Sequence, residues 1–130
     1  MSIELTLLAW TCALALVQIM LAAVFRTREY GAKWNAGPRD ETMPPVGQLT
    51  GRLERAQRNL FETLPLFAAL VLTAHVANRE GATTTLGAML YFWGRVVYLP
   101  LYMLGVAYVR TLVWIVSLVG LLMILFACLR

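Results

Sequence analysis

Residues Ile3 to Phe25 read IELTLLAWTCALALVQIMLAAVF, an apolar run with one charge, Glu4, at its very start. About 20 helical residues cross the hydrocarbon core of a bilayer, so this run is long enough to span it as a helix. A secretory leader would open on basic residues and keep a shorter apolar stretch. This run has an acidic start and stays apolar throughout, so it is expected to be retained as a helix that also directs insertion.

Three further stretches have the same character, at Leu60 to Ala77, Thr84 to Ala107 and Leu112 to Leu129. Hydrophobic residues make up 60% of the 130, and the mean hydropathy is +0.69, more apolar surface than a soluble domain of this size can cover. The expected fold is therefore an all-α membrane protein, a single domain over 1–130 built as a bundle of four transmembrane helices at approximately 3–25, 51–77, 84–107 and 112–129. The polar stretch from Gly51 to Asn59 lacks helix breakers, so the second helix is expected to begin near Gly51, in the headgroup region. Pro65 and Pro100 fall inside spans, where they predict kinks rather than ends.

Between the first two spans, approximately 26–50 carries Gly31, Gly37, Gly47, Pro38, Pro44 and Pro45 among charges and predicts an irregular loop. The other connections are short and predict antiparallel neighbours. Seven of the eleven Lys and Arg residues fall between Arg26 and Arg58. Counted over four crossings, one face holds Arg26, Arg28, Lys33, Arg39, Arg52, Arg55, Arg58 and Arg110, and the other only Arg79 and Arg130. The excess of positive charge predicts a multi-pass integral membrane protein with a cytoplasmic large loop and extracytoplasmic termini.

This basic cluster lacks the polar domain with interleaved aromatics that nucleic-acid binding uses, so no nucleic-acid partner is expected. Cys12 and Cys128 lie in opposite terminal runs, and His75 is the lone histidine. No metal site follows, and both thiols are expected to behave as small buried hydrophobes.

Charges inside the spans are costly and therefore informative. At about 100° per residue, Arg52, Arg55, Asn59 and Glu62 share an arc of roughly 80°, and Tyr91, Arg95, Tyr98 and Tyr102 an arc of roughly 60°. Two polar stripes are thus expected to face each other, with Glu62 and Arg95 as a candidate structural ion pair. One carboxylate cannot satisfy Arg55, Arg58 and Asn59 as well. The surplus of guanidinium groups calls for a ligand that carries carboxylates, since arginine engages them in a bidentate fork. An ammonium on the same ligand would meet Glu62. A zwitterionic peptide, with an apolar co-substrate arriving from the bilayer, has these features.

The segment from Arg52 to Phe67, RLERAQRNLFETLPLF, resembles the signature of the MAPEG family, the membrane-associated proteins in eicosanoid and glutathione metabolism. Arg55, Asn59, Glu62 and Pro65 follow the family's order and spacing. Arg95, Tyr98 and Tyr102 resemble its third-helix pattern, and Arg110 stands where an arginine opens its fourth helix. The resemblance extends over the whole chain in length, span count and motif order.

That resemblance implies a left-handed four-helix bundle assembled as a homotrimer, with glutathione as co-substrate between subunits near the cytoplasmic surface. It implies Arg55, Gln57, Arg58, Asn59, Glu62, Tyr98 and Tyr102 as glutathione contacts, with Arg26 or Arg28 reaching in from a neighbouring subunit. Arg110 would stabilise the glutathione thiolate, which attacks a hydrophobic electrophile or a lipid hydroperoxide. A thiol near pKa 8.5 is mostly protonated at neutral pH, so a cation beside it raises the reactive fraction.

Two other functions compete with this transferase or peroxidase reading. A catalytically silent, lipid-binding or scaffold member of the family would not need the complete Arg-Asn-Glu stripe and Arg110. A small proton-coupled exporter would carry its essential acid deep in the first helix. Here Glu4 lies at that helix's end, and Glu62 is surrounded by arginines that favour its ionised form.

Overall fold

The computed structural model describes residues 1–130 as five helices and no strand: α1 (Ile3–Tyr30), α2 (Ala32–Ala36), α3 (Gln48–Val76), α4 (Ala82–Met103) and α5 (Tyr108–Leu129). The four expected helices are present, and α2 adds a fifth inside the stretch expected to be an irregular loop. α1 also runs five residues beyond Phe25, so the irregular chain shrinks to 37–47. Gly31 and Gly37, which look like loop residues in the sequence, instead bracket α2.

Local chemistry sets the ends. Ser2 caps α1 by accepting the Leu5 N–H at 3.2 Å, and Glu4 in the first turn complements the helix dipole. The Glu29 carboxylate accepts the N–H of Gly47, the residue that opens α3, at 2.6 Å. This bond closes the connection from α1 to α3 across 18 residues. Neither Pro65 nor Pro100 ends its helix.

Three helices, α1, α3 and α5, are long and apolar enough to cross a membrane. α4 has the length but not the composition that its place as the third expected span requires. Three threonines, three tyrosines and Arg95 dilute it. Thr84, Tyr91, Arg95 and Tyr98 are buried against the other helices, so those polar groups face protein.

α4 packs most extensively on α5 and also touches α1 and α3, which makes it the central helix. The α4–α5 contact depends on small residues. A Cβ on Gly87 would stand 2.7 Å from the Gly120 carbonyl oxygen, and one on Gly94 3.1 Å from the Ser117 Cβ. Side-chain-free surfaces of this kind let two membrane helices approach backbone to backbone.

The main core lies in the half of the bundle away from the basic loop, around Leu60, Phe67, Val71, Ala88, Tyr91 and Ile124. Phe67 and Tyr91 stack there at 4.2 Å between ring centroids. A smaller core of Ala22, Leu53, Ala56 and Leu99, flanked by Tyr102 and Met103, closes the other end. At the far end, Glu4 is buried and its Oε1 accepts from Thr84 Oγ1 at 2.8 Å and Thr85 Oγ1 at 2.7 Å. It ties the start of α1 to the start of α4. His75, in the last turn of α3, pairs with Glu80 at 3.1 Å.

Candidate functional site

The polar residues of α3, α4 and α5 meet at the end of the bundle built on the smaller core. Arg95 is 2% exposed and donates through Nη1 to Asn59 Oδ1 at 2.8 Å. Its guanidinium also lies over the Tyr98 ring, 4.4 Å from the centroid. Tyr98 and Tyr102, one turn apart on α4, hold their centroids 5.6 Å apart. Arg110, in the first turn of α5, covers the Tyr102 ring at 4.6 Å, and Arg55 Nε donates to the Tyr102 hydroxyl at 3.2 Å. Two neighbouring aromatic rings, Tyr98 and Tyr102, thus form a ladder closed by a cation at each end, Arg95 and Arg110.

A recess of about 250 Å³ opens beside this ladder, lined by Asn59, Tyr98, Tyr102, Arg110, Thr111 and Trp114. Apart from Asn59 of α3, its lining comes from the consecutive helices α4 and α5. The turn from Leu104 to Ala107 brings the last turn of α4 and the first turn of α5 together. Neither Arg55 nor Arg110 has a carboxylate within 4.0 Å; Glu54 pairs with Arg26, and Glu80 lies against the His75 ring. The recess therefore offers the Arg110 guanidinium together with hydroxyl and amide groups, and Arg55 stands next to it on the Tyr102 hydroxyl; no acid of the chain neutralises either cation.

The expected Glu62–Arg95 ion pair does not form. Asn59, one turn earlier on α3, takes the Arg95 donor, and Glu62 is left exposed without a cation partner. Arg95 Nε is buried with no acceptor, so the guanidinium is satisfied through Nη1 and the Tyr98 face alone.

A family model for the MAPEG family matches residues 7–130. The chain belongs to the MAPEG family. It is thus an all-helical integral membrane protein of the family associated with eicosanoid and glutathione metabolism. No curated protein matches the chain.

Most of the MAPEG-type residues named from the sequence divide between two places, and Glu62 lines neither. Arg55, Asn59, Tyr98, Tyr102 and Arg110 come together at the ladder. Gln57 and Arg58 line a different recess, of about 340 Å³, with Arg26, Glu54, Ile19, Ala22 and Ala23 between α1 and α3. Arg26 is held there by its own chain, in a bidentate pair with Glu54 at 2.7 and 2.6 Å. Arg28 joins neither recess and lines a notch with Thr27, Ala32 and Asn35.

The sequence pattern did not single out Thr111 and Trp114. Trp114 stands one turn after Arg110 and three residues after Thr111, and that helical spacing was the available signal. Cys12, expected to be buried, is exposed on α1, and Cys128 is half-buried with Sγ 3.6 Å from the Leu70 carbonyl oxygen. No group of three His, Cys, Asp or Glu side chains gathers to hold a metal ion.

Proposed function

We propose that this chain is a membrane glutathione transferase or peroxidase that binds glutathione at the Asn59, Tyr98, Tyr102 and Arg110 recess and activates its thiol there. The observation that carries this reading is the recess with its neighbour Arg55: Arg110 lines it with two tyrosines, Arg55 bonds the hydroxyl of one of them, and no acid of the chain neutralises either cation. A peptide with two carboxylates and one ammonium matches that donor set. Arg55 takes a carboxylate, Glu62 takes the ammonium, and Asn59 and the tyrosine hydroxyls take the peptide groups between.

Arg110 sits at the rim shared with Thr111 and Trp114, and its role is to hold the sulfur as an anion. A cation beside a thiol lowers its pKa and raises the fraction present as the nucleophile. Conjugation then forms a sulfur–carbon bond to an electrophile dissolved in the bilayer as that electrophile's leaving group departs. The apolar outer faces of α1 and α5 are the route by which such a substrate reaches the rim.

The division of the named residues between two recesses supports a homotrimer. Gln57, Arg58 and the Arg26 region lie on the α1–α3 side and the ladder lies on the α4–α5 side, so one copy's α1–α3 face is set to complete another's ladder. Arg28 stands near that face and is available to a neighbouring copy. The excess of basic residues on the loop side supports a cytoplasmic site and 37–47 segment, with both termini outside.

Glutathione titration of the purified protein in mild detergent, followed by ultraviolet difference spectroscopy for thiolate, tests the reading. Saturable binding with a thiolate signal at neutral pH is the expected result. Binding without thiolate would favour a catalytically silent member, and no binding would remove the proposal. Mass measurement in the same detergent tests the trimer, which a dominant monomer or dimer would refute.

A further inference from the structure

Arg52 opens the polar stripe of α3, yet it lines neither recess and has no carboxylate within 4.0 Å. It reaches instead to the end of α4. That helix closes with paired bonds from Val106 N–H to the Leu101 carbonyl at 3.0 Å and from Gly105 N–H to the Tyr102 carbonyl at 3.1 Å, with Gly105 at φ +74°. This is the glycine-dependent helix stop in which the sixth and fifth residues bond back to the first and second. Leu104 N–H takes the Pro100 carbonyl at 3.0 Å.

The carbonyl of Met103 has no backbone partner in this arrangement, and Arg52 Nη1 donates to it at 3.3 Å. The guanidinium lies against Gly105 so closely that a Cβ there would stand 2.8 Å from Nη2 and 2.9 Å from Cζ. A cation at a helix C-terminus is also favoured by the helix dipole. Arg52 thus closes the end of α4 from the neighbouring helix α3, across 51 residues of sequence.

The turn so held is the one that sets the ladder. Tyr102 lies in the last turn of α4 and supplies the carbonyl that Gly105 uses, while α5 starts at Tyr108 with Arg110 two residues on. Only Leu104 to Ala107 separate the two helices, so the angle at Gly105 determines where the Arg110 guanidinium stands over the Tyr102 ring.

We infer that Arg52 is a positioning residue that clamps the α4–α5 turn and thereby sets Arg110 at the sulfur site. The inference rests on the glutathione reading for its chemical consequence and on the hydrogen bonds above for the clamp. An arginine that bound the peptide directly would change affinity. One that acts through Arg110 changes the pH at which the thiolate forms and leaves the affinity for the protonated thiol alone.

The test uses the full chain in detergent, with Arg52→Ala and Gly105→Ala, the second breaking the clamp from the α4 side, where the added Cβ displaces the guanidinium while position 52 remains arginine. Amide hydrogen exchange over 104–108 should speed by about tenfold or more in both variants, because the bonds that close α4 open more often. The thiolate of bound glutathione should appear at higher pH and kcat should fall by about fivefold or more, while the glutathione Kd at low pH stays within about twofold. The double variant should be little worse than either single one, since both break one unit.

Native exchange over 104–108 in folded Arg52→Ala would refute the clamp. Faster exchange with wild-type thiolate titration and kcat would make Arg52 structural only and overturn the inference, and a large rise in Kd with native exchange would make it a ligand contact. A wild-type protein that binds no glutathione would refute the ligand reading, and with it any role at a sulfur site, while the exchange measurement still decides whether Arg52 holds the turn.

Discussion

Arg95 Nη1 lies 2.8 Å from Asn59 Oδ1, and that bond joins the polar stripe of α3 to the polar stripe of α4. Arg95 is buried and has no ion-pair partner, so Asn59 and the Tyr98 ring are what hold its charge. With its oxygen committed to Arg95, the amide nitrogen of Asn59 is left as the donor toward the recess.

Arg95→Leu should therefore act on the site through Asn59. Loss of a hydrogen bond to a charged group is worth about 1.5 to 3 kcal/mol, offset in part because the costly buried charge goes too. The expected outcome is a modest change in thermal stability in detergent and a clear loss of glutathione affinity. Asn59→Leu, which strands the charge, should destabilise more than Arg95→Leu does. Equal stability of the two variants would show that Arg95 does not depend on Asn59.

Glu62→Gln separates the two roles that the sequence offered for this carboxylate. Glu62 is exposed and unpaired within its chain, so stability should stay within about 0.5 kcal/mol of wild type. Binding should weaken, because removing one partner of a desolvated charge pair costs roughly 2 to 5 kcal/mol. Unfolding of the variant with glutathione affinity unchanged would return Glu62 to a structural role.

The α4–α5 contact predicts a stability effect unrelated to the site. Gly120→Ala places a Cβ against the backbone of α4 around Gly87 and Tyr91, which cannot give way as a flexible side chain can. Overpacking of this kind costs about 1 to 3 kcal/mol. Gly81→Ala is the control, since nothing lies within 4 Å of a Cβ there. Thermal unfolding should rank wild type and Gly81→Ala together, above Gly120→Ala.

The long helices α1, α3 and α5 were legible in the sequence because lipid imposes a length and an apolarity that composition displays directly, whereas α4 meets the length alone. The ladder was legible in part, since 100° periodicity places Arg55 and Asn59 on one face and Arg95, Tyr98 and Tyr102 on another. Periodicity gives the face of a helix but not its height against a neighbour, and the Glu62–Arg95 pairing failed by one turn for that reason. Arg26–Glu54 was invisible because Arg26 looked like a loop residue and proves to lie on the extension of α1. α2 was missed because Gly31 and Gly37 signal breaks, and the five residues between them are too few to show a period.

Arg110 gives the sharpest contrast between binding and activation. Its guanidinium rests 4.6 Å from the Tyr102 ring centroid, at the rim of the recess and without an acid partner, so its charge is free to act on an anion beside it. Arg55 is tied instead to the Tyr102 hydroxyl, and in the proposed complex it takes a peptide carboxylate. A cation that acts mainly on the thiolate stabilises the reacting form and leaves the protonated thiol almost unaffected. Each pKa unit is about 1.4 kcal/mol, so the thiolate titration reports this contribution directly. Arg110→Ala should move thiolate absorbance to higher pH and slow conjugation of a model electrophile, with the glutathione Kd measured at low pH nearly unchanged. Arg55→Ala should do the reverse, raising Kd at every pH while the thiolate that does bind titrates as in wild type. Should Arg110→Ala keep wild-type thiolate titration and turnover, Arg110 acts only as an interface charge, and the Tyr102 hydroxyl becomes the donor to test at the sulfur.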